Sequence, residues 1–189
     1  MTPFEYISLL TSIVIALGIT RVLSGIGKIV QLRGRVRVSW VHLLWSGDAL
    51  LWLLLNWWIL YRWHTTERWT FFLFLFVLIS PVIAFLMAVL LFPEPLKAGT
   101  DLKAHFSDNH RWFFCLGALL PVVDAADTML KGWEHFLAQG PLYMATGSIF
   151  FVLCLVAAAV KKEFIHAAFG ILFLVYMLVF ISINLKVLS

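Results

Sequence analysis

Six long runs of hydrophobic residues divide the chain, and short polar segments separate them. Each run is close to the roughly 20 apolar residues that a helix needs to cross a bilayer. The runs predict transmembrane helices at about 4–30, 40–62, 69–92, 112–131, 140–160 and 164–187. We therefore expect an all-α membrane protein, with a six-helix bundle that forms a single integral-membrane domain over residues 1–189.

Composition supports the same class of protein. Of 189 residues, 62% are hydrophobic and 13% are charged, whereas a soluble domain is roughly half apolar and a quarter charged. The net charge of +4 does not indicate a nucleic-acid partner, because the basic residues cluster in the segments between the runs. Topology rules place basic residues there. The expected surroundings are therefore the lipid bilayer.

Lysine and arginine also predict an orientation. The first, third and fifth connections, with their flanks, hold nine basic residues: Lys28, Arg33, Arg35, Arg37, Lys97, Lys103, Arg111, Lys161 and Lys162. The opposite side holds four: Arg62, Arg68, Lys131 and Lys186. Because basic residues concentrate in cytoplasmic loops, we expect both termini outside, in a plasma (inner) membrane protein. The start MTPFEYISLL lacks a basic region and a cleavage site, so the first run is expected to be retained.

The longest connection, FPEPLKAGTDLKAHFSDNHR, leaves two interpretations open. Thr100 can cap a short amphipathic helix at about 100–109 on the cytoplasmic surface, with Leu102 and Phe106 on one side. An unstructured polar loop fits so short a pattern equally well.

The fourth run contains two acids, Asp124 and Asp127. A carboxylate near the bilayer centre costs about 3 kcal/mol on insertion scales, so it is a candidate functional group. Pro121 precedes Asp124 by one turn and is expected to break the helix and free a carbonyl for a cation, a proton or water. In the passive alternative, Asp127 pairs with Lys131 at i+4 and Asp124 bonds a neighbouring helix.

One face of the second run carries polar and aromatic residues at helical spacing: His42, Trp45, Asp48, Trp52 and Asn56. This face is expected to point into the bundle, because polar groups in lipid are costly. Asn56 and Asp127 both lie about 7 Å outward of the bilayer centre by the helical rise, which makes them candidate partners.

Arg21 in the first run and Asp48 in the second lie at similar depths, about 6 Å and 4 Å inward of centre. Their opposite charges predict an intramembrane ion pair, which serves either as a packing contact or as a gate. Small residues surround Arg21 in the sequence: Gly18, Ser24, Gly25 and Gly27. They indicate close helix contact, within the bundle or between subunits of a homo-oligomer.

A second proline, Pro81, follows Ser80 near the middle of the third run. It predicts a second helix break at a depth similar to that of Pro121. Two interrupted helices near the midplane favour transport slightly.

Together these features predict a channel or transporter for protons, cations or a small solute. Asp124 and Asp127 would bind the ion, Asp48 and Arg21 would form a gate, and His42 and Asn56 would extend the polar path. The alternative is a non-catalytic subunit, sensor or assembly factor, in which the polar groups only join helices.

A haem-binding electron carrier is the third class. Bis-histidine ligation of haem b requires two histidines at one depth on facing helices. His42 and His166 both begin runs at the inner interface, so they satisfy the depth requirement only. Metalloprotease, serine-hydrolase and phosphate-loop motifs are missing from the sequence, and the two cysteines lack zinc spacing. We therefore expect no enzyme activity and no cofactor, with haem b bound through His42 and His166 as the alternative.

Overall fold

The computed structural model describes residues 2–66 and 68–184. The protein is 83% helical, and no strand occurs in this part of the chain. The helices are α1 (Pro3–Gln31), α2 (Trp40–Leu60) with a 3-10 turn (Tyr61–Trp63), α3 (Phe71–Leu91), α4 (Leu102–Leu130), α5 (Trp133–Ala138), α6 (Gly140–Ala159) and α7 (Glu163–Asn184). All except the short α5 are long and apolar enough to span a membrane. The end of the sixth predicted span, 185–187, and with it Lys186, lies outside the described residues.

α2 is the central helix of the bundle. It packs against α1, α3 and α7 and touches α4, while α4 packs against α3 and α6. The predicted orientation of its polar face is confirmed, since His42, Trp45 and Asp48 are buried and Trp52 and Asn56 are half-buried. The most polar helix face therefore meets protein rather than lipid.

An aromatic cluster joins α2, α4 and α7 around Trp45. Its indole ring lies 5.4 Å, 4.9 Å and 5.2 Å from the rings of Phe113, Phe114 and Phe169. Its Nε1 donates to the carbonyl oxygen of His166 at 3.1 Å. Edge-to-face contacts and one satisfied polar atom together fix the register of these helices.

α4 is longer than the predicted fourth span because it includes the segment expected to form a separate surface helix. The prediction that Thr100 caps that helix is wrong, since the cap is Asp101, whose Oδ1 accepts from the Ala104 N–H at 3.0 Å. Leu102 and Phe106 are buried in the bundle rather than lying on a membrane surface. No glycine or proline occurs at 102–116, so nothing in the sequence ends the helix there.

The first, third and fifth connections meet at one end of the bundle, here called the basic end. Three ion pairs cross it: Arg37–Asp101 at 3.4 Å, Lys103–Glu163 at 2.6 Å and Lys161–Asp108 at 3.7 Å. The Ala104 amide, then the Lys103 amide and the Arg37 charge, hold the pKa of Asp101 below its usual value. Ion pairs thus link the connections that carry most of the basic residues.

Two glycines of α1 offer a matched test of helix packing. A Cβ on Gly25 would overlap the buried ring of Phe92, whereas a Cβ on Gly27 meets nothing within 4 Å. Gly25→Ala is expected to lower the free energy of unfolding by about 1–3 kcal/mol through overpacking. Gly27→Ala is expected to leave it equal or slightly higher, because alanine favours the helix.

Thermal unfolding in detergent compares the two variants directly. Equal midpoints for both would show that α1 does not pack tightly at Phe92. A large shift in oligomer size for Gly27→Ala alone would instead place that open face in a contact between subunits.

Candidate functional site

A polar cavity lies between α1, α2, α3 and α4, in the half of the bundle away from the basic end. Its volume is about 80 Å³, room for more than one water, since a water needs about 10–15 Å³. Polar side chains reach it from all four helices: Thr11, Asn56, Ser80, Asp124 and Asp127. Three of the predicted path residues are therefore brought to one cavity, and Pro81 lines it as well.

Both prolines lie within helices that continue past them. Pro81 is inside α3 and Pro121 is inside α4. The expected breaks do not end either helix. Pro81 contributes instead to the wall of the polar cavity.

Asn56 is held by α3 rather than by Asp127. Ser80 Oγ donates to Asn56 Oδ1 at 2.8 Å, and Asn56 Nδ2 donates to the Trp52 carbonyl at 3.0 Å. The predicted Asn56–Asp127 contact is therefore wrong, although both side chains line the same cavity. The equal depths of Asn56 and Asp127 did not identify the partner of Asn56. Depth alone does not show which residues of a neighbouring helix face Asn56.

Asp127 forms a charged contact at the mouth of the polar cavity. Lys131 Nζ lies 2.5 Å from one carboxylate oxygen, which confirms the predicted i+4 pair. Trp63 Nε1 donates to the other oxygen at 3.0 Å. The same ammonium lies 4.6 Å from the Trp63 ring centroid, where a cation–π attraction supports it. The position of Trp63 at the end of a span predicts only an interface anchor.

Asp124 links α4 to α6. Tyr143 donates its hydroxyl to Asp124 Oδ2 at 2.7 Å, so the predicted bond to a neighbouring helix is confirmed. Thr128 Oγ1 lies 2.9 Å from that hydroxyl and donates to the Asp124 carbonyl. The Tyr143 and Thr128 hydroxyls carry one proton each, whereas these groups make three contacts. All three contacts can be hydrogen bonds only if the Asp124 carboxyl also carries a proton. Tyr143 had no sequence signal beyond being a phenol in an apolar run.

Asp48 lies at a second cavity, here called the apolar cavity. This cavity measures about 20 Å³, enough for about one water. Aromatic rings form most of its wall: Trp45, Trp52, Phe113, Phe114, Phe150 and Phe173. Asp48 is 1% exposed, and neither of its carboxylate oxygens has a hydrogen-bond partner.

The predicted ion pair between Arg21 and Asp48 is wrong. Arg21 Nη1 lies 2.9 Å from Glu94 Oε2, and Nη2 donates to the Phe92 carbonyl at 2.7 Å. Both partners follow α3 at the basic end. A long arginine side chain can reach toward the interface and find a carboxylate there, at a lower desolvation cost than pairing in the core.

A thin wall separates the two cavities. Trp52 and Leu120 line both of them, one residue from α2 and one from α4. Asp48 is on one side of this wall, and Asp124 and Asp127 are on the other. These two side chains are therefore the ones that the two cavities share.

The two histidines of the haem prediction lie near the basic end. His42 Nε2 is 2.7 Å from the Leu91 carbonyl, and His166 Nε2 is 3.0 Å from the Ala157 carbonyl. The ring of Phe106 lies 6.3 Å from that of His42 and 5.9 Å from that of His166. Neither histidine lines the two cavities. Iron ligation through Nε2 would require both hydrogen bonds to be given up.

Among residues 2–66 and 68–184, no group of three or more His, Cys, Asp or Glu side chains is placed to hold a metal ion. No family model, curated protein or solved structure matches the chain. Six apolar helices of spanning length are the features of a multi-pass membrane protein. The features of the described residues that bear on function are the two cavities and the acids beside them.

Proposed function

We propose that the protein is a channel or transporter that carries protons or small cations across the plasma membrane. The observation that carries this proposal is the pair of adjoining cavities, one lined by polar groups and one holding the unpartnered Asp48. Ionisable side chains inside a membrane bundle are costly and commonly mark an ion or proton route.

In the proposed orientation, the basic end faces the cytoplasm and both termini face outward, as the excess of lysine and arginine favours. The polar cavity then lies in the outer half, where Asp124, Asp127 and Asn56 form the first stage of the route. Asp48 forms the second stage. His42 Nδ1 is a further buried atom without a partner and extends the route toward the basic end.

A flux assay in liposomes tests this function. The purified protein is expected to dissipate an imposed gradient of protons, sodium or potassium. Asp124→Asn is expected to slow the flux severalfold, because it removes the titratable group bonded to Tyr143 in the polar cavity. Asp108→Asn is the matched control, since Asp108 is 75% exposed at the basic end and lines neither cavity.

Unchanged flux in Asp124→Asn would remove that residue from the route. An equal loss in Asp108→Asn would point to a general effect of charge rather than to the polar cavity.

A non-catalytic subunit, sensor or assembly factor is the second candidate. It is favoured by the bonds that occupy Asp124, Asp127 and Arg21 and by the wall between the cavities. In this function the polar groups fix helix packing, and the partner is a second copy or another membrane protein. Wild-type liposomes without flux for any of the three ions, together with a stable larger assembly in detergent, would select it.

Haem b between His42 and His166 is the third candidate. Their shared proximity to Phe106 favours it, and their occupied Nε2 atoms oppose it. A Soret band that is lost in His166→Ala would place it first.

A further inference from the structure

We propose that Asp48 is a proton-binding site and that the apolar cavity serves protons rather than metal cations. The role of this site in a route rests on the proposed function, whereas its protonation can be measured separately.

The surroundings of Asp48 favour an uncharged carboxyl group. The side chain is 1% exposed and both oxygens are without partners. The backbone of α7 closes over it, since a Cβ on Gly170 would lie 3.4 Å from Asp48 Oδ2. An ionised carboxylate in such a place costs several kcal/mol unless it is paired or hydrogen-bonded. The neutral acid avoids most of that cost.

The apolar cavity also lacks the ligands that a metal cation needs. Sodium, potassium, calcium and magnesium ions exchange their hydration shell for several oxygen atoms. Among the residues that line this cavity, Asp48 alone has a side-chain oxygen. The backbone carbonyls nearby belong to helices, where they accept i+4 hydrogen bonds. The Gly117 carbonyl is the exception, because Pro121 has no N–H to donate to it. Together with Asp48 it supplies fewer oxygen atoms than these cations require. About 20 Å³ leaves room for about one water, not for a hydrated ion.

The helices around Asp48 present mostly uncharged groups to it. From α3, α4 and α7 these are Ala84, Met87, Phe114, Gly117 and Phe173. From α6 the thiol of Cys154 is the other titratable group in the cavity lining. On α1, the guanidinium of Arg21 is bound to Glu94 and the Phe92 carbonyl. No basic side chain among the lining residues is therefore placed to stabilise a charged Asp48.

Release of the proton needs a water molecule in contact with the carboxyl. The O–H bond of Asp48 breaks, the proton forms hydronium with that water, and the negative charge stays on the carboxylate. Uptake reverses both changes. The shared wall of Trp52 and Leu120 is where such a water would enter from the polar cavity.

Infrared spectroscopy of the purified full-length protein at neutral pH tests the proposal. The wild type is expected to show a carbonyl stretch of a protonated carboxyl group that is lost in Asp48→Asn. Asp48→Glu is expected to keep a shifted band, which guards against misfolding of the asparagine variant. Asp124→Asn is the matched control and is expected to retain the Asp48 component. Replacing choline chloride by sodium or potassium chloride is expected to leave that component unchanged.

Two results would overturn the proposal: no band that depends on Asp48 at neutral pH, or a band that sodium or potassium removes. If ions cross the membrane but no infrared band depends on Asp48, the proposed function would be supported and Asp48 would not be the proton-binding site. If the Asp48 band is present but no ion crosses the membrane, Asp48 would be protonated and the proposed channel or transporter function would be excluded.

Discussion

Replacing Asp48 by asparagine is expected to abolish proton flux while leaving the fold at least as stable as before. The carboxyl makes no hydrogen bond that the variant would lose, and a neutral amide replaces a carboxyl group that is itself uncharged in the proposed state. The variant would lack the buried group that binds the proton. Flux is therefore expected to fall to the level of protein-free liposomes.

Proton flux in liposomes and the thermal unfolding midpoint in detergent should be measured on the same preparations. Asp48→Leu serves as a second variant, and it is expected to be equally inactive and more stable, because it replaces a buried unpaired polar group. A midpoint that falls sharply in both variants would reveal a structural role for the carboxyl. Flux that survives in both would exclude Asp48 from the route.

Truncation of Trp52 to alanine is expected to raise the flux severalfold and to weaken its ion selectivity. This indole lines both cavities, and its Nε1 has no partner. Its ring is tilted by 46° relative to that of Phe173, with ring centroids 6.1 Å apart. Removing it would join the water-sized space at Asp48 to the polar cavity, so that water and cations could reach the carboxyl.

Trp57→Ala is the matched control on the same helix, because Trp57 is 53% exposed and lines neither cavity. Flux of protons and of potassium should be compared in the two variants. A lower flux in Trp52→Ala, with the fold intact, would mean that the indole forms part of the proton route rather than blocking it. Equal increases in both variants would indicate a leak caused by loosened packing.

The positions of the spanning helices could be predicted from sequence because hydrophobic runs of this length rarely form anything except transmembrane helices. The predicted bounds of the first span differ from α1 by one residue at each end, and the fifth span begins where α6 begins and ends one residue after it. A helix at about 100–109 was one of two interpretations of the long connection, but its continuity with the fourth span was missed. The residues before 112 are polar, and hydrophobicity identifies membrane-spanning residues rather than the full length of a helix. The short α5 was missed because six residues between Gly132 and Gln139 resemble a loop.

The site was only partly predictable for a related reason. Helical rise gives depth, and it correctly brought Asn56, Asp124 and Asp127 to one cavity. It does not give the direction in which a side chain reaches. Arg21 therefore pairs with Glu94, which lies in a connection between helices and not at the predicted depth of Arg21. As a result, the acid expected to be paired, Asp48, is the one without a partner, while Asp124 and Asp127 are both bonded.

The contact between α2 and α7 has a consequence for biogenesis. Asp48 lies against Gly170, and Trp45 donates to the His166 carbonyl, although these partners are more than one hundred residues apart in the sequence. A ribosome-bound chain that has delivered α2 to the membrane must wait for α7 before this side of the helix is covered. Until then, the acid and the indole would face lipid, the insertion machinery or a chaperone. This side of the site is therefore completed only after α7 has been inserted.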